Sequence, residues 1–200
     1  MEPWHFSLVG FAVAASITPG PNNVLVTANA AANGLRATVP HMLGIGAGFS
    51  LMIVLVGLGL SGVIAANPTL AWAMRWGSMA WLVWLAVQIA TAPPPGATGA
   101  AMHFGFVAAV LFQWVNPKAW LLALGIASAW VRPDAPAVPQ LLLIGAVFFV
   151  VGPPCNLPWA LLGRGAVRLL GTGRRLRAFN VAMAVLLVAS MIPLVLEAGG

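Results

Sequence analysis

Acidic residues are nearly missing from this chain: Glu2, Asp134 and Glu197 are the three among 200 residues. All fall at a terminus or between apolar runs, so the usual intramembrane Asp or Glu proton relay is excluded. Their scarcity also removes paired-carboxylate catalysis, and an intramembrane enzyme would need such a pair, a Ser–His site or metal ligands. Cysteine is as scarce. Cys155 stands alone, which excludes a disulfide framework, a Cys-x-x-Cys redox pair and a zinc cluster. A thiol electron carrier needs two cysteines and is excluded as a self-contained device. His5, His41 and His103 are scattered without ligand spacing, so no metal site and no cofactor are expected. Charged residues amount to 6%, against roughly a quarter in a soluble domain.

What fills the chain instead is apolar. Hydrophobic residues make up 61% and the mean hydropathy is +0.98. Uncharged runs cover 3–35, 37–74, 76–117, 135–163 and 178–196, each long enough for the ~20 residues that cross a bilayer. The expectation is an all-α integral membrane protein of one domain over 1–200, with six spans near 6–28, 39–66, 70–91, 104–131, 138–162 and 179–197. The start lacks a basic segment before its apolar run, so the first helix is expected to stay as an anchor rather than be cleaved.

The net charge of +6 does not indicate nucleic acid, because five of the nine basic residues fall between Arg164 and Arg177 and read as a cytoplasmic loop. Loops after the odd-numbered spans hold six arginines, and the opposite side holds Arg75 and Arg132. Both termini are therefore expected outside the cytoplasm. Trp4, Trp72, Trp76 and Trp130 stand near span ends, where indoles suit the headgroup zone.

Two apolar runs are interrupted in their middles, by Thr18-Pro19-Gly20-Pro21-Asn22-Asn23 and by Asn116-Pro117-Lys118. Proline removes a backbone donor and clashes with the preceding turn. In lipid such breaks survive only where protein or a wet cavity satisfies the freed groups. The linker Ala92-Pro93-Pro94-Pro95-Gly96, continuing to His103, divides the chain into halves of about 1–95 and 103–200, and Pro21 falls over Pro117 at an offset of 96 residues. Three spans per half give the halves opposite orientation, so two inverted three-helix repeats with helices broken at mid-membrane are expected. Interrupted helices in corresponding positions point to a carrier's binding site.

Lys118 is the sharpest feature. A cation at mid-depth costs at least ~2.5–3.5 kcal/mol on insertion scales and usually faces an interior cavity. The structural alternative is a lysine bound to carbonyls freed by Pro117. A helix beginning near Pro21 would present free amides and a positive dipole end suited to a carboxylate, with Asn22 and Asn23 beside it. A packing kink is the alternative there. A third interruption is expected at Gly152-Pro153-Pro154-Cys155-Asn156-Leu157-Pro158, where Asn156 either completes a polar site with Asn22, Asn23 and Asn116 or caps a broken turn. Gly44, Gly46, Gly48, Gly57, Gly59 and Gly62 give the second span a small-residue face, which permits a homodimer without requiring one. Trp114 and Trp120 flank the second break and either pack ordinarily or wall a pocket.

The Thr18–Asn23 segment resembles the first-helix signature of the LysE-type amino-acid exporters, and Phe112-Gln113-Trp114-Val115-Asn116-Pro117-Lys118 resembles their fourth-helix motif. Cys155-Asn156-Leu157-Pro158-Trp159 and Phe179-Asn180-Val181 look most like the cysteine/O-acetylserine branch. The resemblance covers essentially the whole chain. It implies a bacterial inner-membrane carrier, embedded in lipid, that moves a small amino-acid substrate outward, with Pro19, Gly20, Pro21, Asn22, Asn23, Asn116, Pro117 and Lys118 as substrate-binding residues. Ala119-Trp120 after the lysine departs from many relatives and bears on pocket size. A passive scaffold is the remaining rival and would tolerate loss of Lys118.

Overall fold

The computed structural model describes residues 3–94 and 104–190. The linker beyond Pro94, the far end of the sixth expected span, Glu2, His103 and Glu197 lie outside the described residues. Within them the chain is helical, with no strand. The elements are α1 (Pro3–Ile17), α2 (Pro21–Asn33), α3 (Leu35–Leu55), a π-helical turn (Val56–Leu60), α4 (Ser61–Ala65), α5 (Pro68–Ala90), α6 (Phe106–Phe112), a 3-10 turn (Gln113–Val115), α7 (Pro117–Trp130), α8 (Ala137–Leu170) and α9 (Arg174–Ala189).

Both expected mid-run breaks are present. α1 stops at Ile17, and α2 restarts at Pro21, whose missing N–H costs nothing in a first helical turn. α6 with its 3-10 turn meets α7 at Asn116 with a bend of 73°. There the Asn116 side chain caps the new helix by accepting from the Lys118 amide at 3.2 Å. The second expected span bends where Gly59 adopts φ 106°, a left-handed conformation that favours glycine. Leu35–Ala65 and Ala137–Leu170 are each long and apolar enough to cross a membrane, as is the bent pair Phe106–Val115 with Pro117–Trp130 taken as one broken span. The other expected spans fall on α1 with α2, on α5 and on α9, which are not by themselves long and apolar enough to cross within the described residues.

The third expected break is absent. α8 runs without interruption through Pro153, Pro154 and Pro158. Each proline costs this helix one backbone bond, and its inner stripe (Leu141, Ile144, Phe148, Gly152, Asn156, Ala160, Gly163) stays buried along the whole length. Pro154 and Pro158 sit on the exposed side, so no packing is lost. The basic loop is also shorter than expected. Arg164 and Arg168 lie on α8, and Arg174, Arg175 and Arg177 lie on the opening turns of α9. The turn between them is made at Gly171, with φ 68°.

α3 and α8 cross at the centre, with α6 and α7 against α3 and with α1 and α2 against α8. α5 pairs with α9. One core joins Leu8 and Ala12 of α1, Phe49 and Met52 of α3, Ala123 and Ile126 of α7, and Leu141 and Phe148 of α8. A second joins α2, α5, α6 and α9 through Leu25, Leu82, Leu85, Phe112 and Leu187. Apolar side chains also cover the outside, such as Phe6, Val107, Val150 and Leu169. In lipid, packing between helices rests on close approach rather than on hydrophobic exclusion, and glycines supply it. A Cβ on Gly44 would strike the Phe106 carbonyl, and one on Gly48 would lie 2.7 Å from the Val110 Cα. These α3 glycines are thus occupied by α6 of the same chain, which removes them as an argument for a dimer.

Candidate functional site

The end of α1 leaves carbonyls that no following turn can satisfy. Three side chains from elsewhere take them. Asn23 Nδ2 donates to the carbonyls of Ser16, Ile17 and Thr18 at 3.2, 3.3 and 2.9 Å. The indole of Trp159 on α8 donates to the Ile17 carbonyl at 3.1 Å. Lys118 Nζ, from the other half of the chain, donates to the carbonyls of Thr18 at 2.7 Å and Pro19 at 3.4 Å. The lysine therefore binds carbonyls freed at the first break, not those freed by Pro117. It reaches them across Gly20, where a Cβ would lie 2.8 Å from the Lys118 Cδ. A positive charge at a helix C-terminus is favoured by the dipole.

The two breaks are tied directly to each other. Asn22 Nδ2 donates to Gln113 Oε1 at 2.9 Å, and Gln113 Nε2 donates back to Asn22 Oδ1 at 3.1 Å. Gln113 is fully buried and also donates to the Ala109 carbonyl at 2.9 Å. Thr27, one turn beyond Asn23, donates to the Asn23 and Trp159 carbonyls at 2.8 and 3.0 Å. The second break is closed like the first: the Trp120 indole donates to the Trp114 carbonyl at 2.9 Å. These two tryptophans meet edge-on, with ring centroids 6.0 Å apart, and take the packing role rather than walling the cavity.

Between the breaks, α3 and α8 lies a cavity of about 50 Å³. Gly20, Asn22, Asn23, Asn116, Lys118 and Asn156 line it, with Ser16, Phe49 and Phe148 among the walls. Six of the nine residues expected from sequence thus meet in one place. Pro19, Pro21 and Pro117 do not line it. Pro21 and Pro117 are buried as first residues of α2 and α7, and Pro19 is exposed and contributes its carbonyl. Asn156 reaches the cavity from an unbroken helix, so it does not cap a broken turn.

The cavity carries one titratable side chain, Lys118, and the starts of two helices, α2 and α7. Asn156 is 3% exposed, and its side chain makes no hydrogen bond among the described residues. Facing the cavity, that amide offers both a donor and an acceptor to a polar group placed there. An ammonium, two positive helix ends and an uncommitted amide together can receive a zwitterion. Sequence reasoning missed Gln113 and Trp159 as site-building residues. Each had one available signal, its place inside a motif: Gln113 in the second, Trp159 in the Cys155–Trp159 segment. Cys155 is half-buried beside Asn156 and is not among the cavity walls.

Comparison with known proteins agrees with the resemblance seen in the motifs. The family described as LysE type translocator matches residues 13–197. The cysteine/O-acetylserine efflux protein of Escherichia coli strain K12 is 32% identical over 92% of this chain and 91% of its own length. That of Shigella flexneri is similar to the same degree, and that of Escherichia coli O6:K15:H31 is 31% identical over the same shares. No solved structure matches. With its long apolar helices, the chain is a multi-pass membrane protein, and it belongs to the LysE type translocator family.

Proposed function

We propose that this protein is a secondary carrier that exports small neutral amino acids or their derivatives across the bacterial inner membrane. The cargo is of the cysteine/O-acetylserine or threonine/homoserine type. The carrying observation is the cavity where Lys118, Asn156 and the two broken helices converge. The printed names of the relatives, cysteine/O-acetylserine efflux proteins, support the substrate class. The cargo's carboxylate meets Lys118 and the positive ends of α2 and α7, and its ammonium is oriented by Asn156 with Asn22, Asn23 and Asn116.

A cavity of about 50 Å³ is on the scale of a few waters, so the walls must part for an amino acid to enter. Alternating access by the two halves supplies that motion. Its support is the packing: exchanging α1 with α6, α2 with α7, α3 with α8 and α5 with α9 maps α3 on α6 to α8 on α1, and α3 on α7 to α8 on α2. The pairs α3–α8 and α5–α9 map onto themselves, as pairs about an axis between inverted repeats would. Proton linkage runs through Lys118, the titratable group of the cavity. The arginine distribution supports periplasmic termini.

The test is efflux from proteoliposomes preloaded with labelled cysteine, O-acetylserine, threonine, homoserine, lysine and arginine. Wild type is expected to release the neutral members, and Lys118→Ala to release none. Because Lys118 also braces α1, Asn156→Leu is the cleaner variant: it breaks no bond within the protein, so folded protein with lost efflux reports on cargo. Retained efflux in both variants, or preferred release of lysine and arginine, overturns the assignment.

A further inference from the structure

A second cavity lies on the other side of α2, between the end of α5 and the start of α9. It holds about 410 Å³ and is walled by Pro93 and Pro94 after α5, by Thr172 and Gly173 in the turn, and by Arg174 and Arg177 of α9. A narrower recess of about 30 Å³ continues inward along Ala28, Ala31 and Ala32 of α2 and shares Leu176 and Asn180 with it. Asn22 and Asn23 of the same helix face the transport cavity instead, so α2 separates the two.

Three independent features of this cavity point to an anion. Arg174 and Arg177 stand in the first turn of α9, the helix end where the dipole disfavours cations, and neither forms an ion pair among the described residues. The amides of that turn have no side-chain cap. Asn180, one turn further on the same face, is 9% exposed and lines both the cavity and its recess. Its side chain makes no hydrogen bond among the described residues. An anion placed here relieves the dipole conflict, takes the orphan amides and satisfies Asn180 together. Two guanidiniums with a helix start match the several oxygens of a phosphate better than a single carboxylate, and Ala90, Pro93, Pro94 and Leu176 offer an apolar wall beside it.

We propose that this cavity is a binding site for a phosphate group, carried by an anionic phospholipid headgroup or by a soluble phosphate. Basic pockets between membrane helices are suited to such headgroups. α2 stands between this site and the transport cavity.

The test is native mass spectrometry of the full chain in detergent, with phosphatidylglycerol, phosphatidylcholine and inorganic phosphate as separate probes. Wild type is expected to retain phosphatidylglycerol over phosphatidylcholine. Arg174→Gln/Arg177→Gln is expected to weaken that binding at least about tenfold. Asn180→Asp, which keeps the side chain's size but adds a repelling charge, should weaken it similarly. Arg168→Gln/Arg175→Gln removes as much charge from residues outside the cavity and should leave it unchanged. Competition by millimolar inorganic phosphate supports the phosphate chemistry and names the soluble source, whereas its failure to compete names the lipid. Equal loss in both double variants means general charge attraction and overturns the site, as does equal retention of the two lipids by wild type. If the first double variant does not fold, Asn180→Asp carries the test alone, and undiminished binding in it overturns the proposal.

Discussion

The reciprocal amide pair of Asn22 and Gln113 sets the distance between the two broken helices, and both members are poor candidates for replacement. Gln113→Leu removes both bonds to the half-buried Asn22 amide, at a cost of about 0.5–1.5 kcal/mol for each. Unfolding in detergent is expected to show that loss, and Asn22→Leu/Gln113→Leu to restore part of it, since removing both partners leaves nothing unpaired. Lys118 and the Asn22–Asn23 pair were legible in the sequence because a charge and tandem amides contradict their apolar surroundings. Asn156 was legible too, although for a reason that did not hold: it was singled out beside a break that α8 does not make. Gln113 and Trp159 were not legible as site builders. A buried glutamine and an indole among nine tryptophans carry no spacing that distinguishes a carbonyl cap from packing.

Among the elements, proline acts in two ways that composition alone does not separate. At Pro21 and Pro117 it begins a helix, after glycine or asparagine has left helical geometry at φ 177° and φ −90° with extended ψ. At Pro153, Pro154 and Pro158 it rides inside a helix whose buried stripe is intact. Efflux by Pro154→Ala and Pro158→Ala is therefore expected within about twofold of wild type, the range of substitutions that touch nothing in a core. Stability should be equal or slightly higher, since each variant regains a backbone donor. Loss of efflux in either would mean that α8 bends at these prolines during the cycle. The breaks in the first and fourth expected spans were legible because each pairs proline with a helix-capping residue. The continuity of α8 was not, because it depends on α2 and α3 packing along the helix: Gly163 lets α8 sit against the Thr27 carbonyl, and Gly145 accepts the Ser50 hydroxyl at 2.6 Å.

For the whole molecule, the distribution of charge gives the orientation its own test. A periplasm-active reporter fused after Gly200 is expected to be active, and the same reporter inserted at the Gly171–Gly173 turn to be silent. The opposite pattern would reverse the direction assigned to every span. Proline placement and the linker give the expectation of two halves, but nothing in the sequence announced the pairing of α5 with α9. One consequence of the closed α1 end concerns the idle protein. Its carbonyls are bound by Asn23, Trp159 and Lys118, which belong to α2, α8 and α7, so separating the halves must rupture at least one of these ties. In the proposed cycle a cargo carboxylate would compete for the same ammonium and weaken one of the ties that span the two halves. On the proposed mechanism, that tie would stay made without cargo, and a membrane holding many idle copies would keep its ion gradients from leaking away.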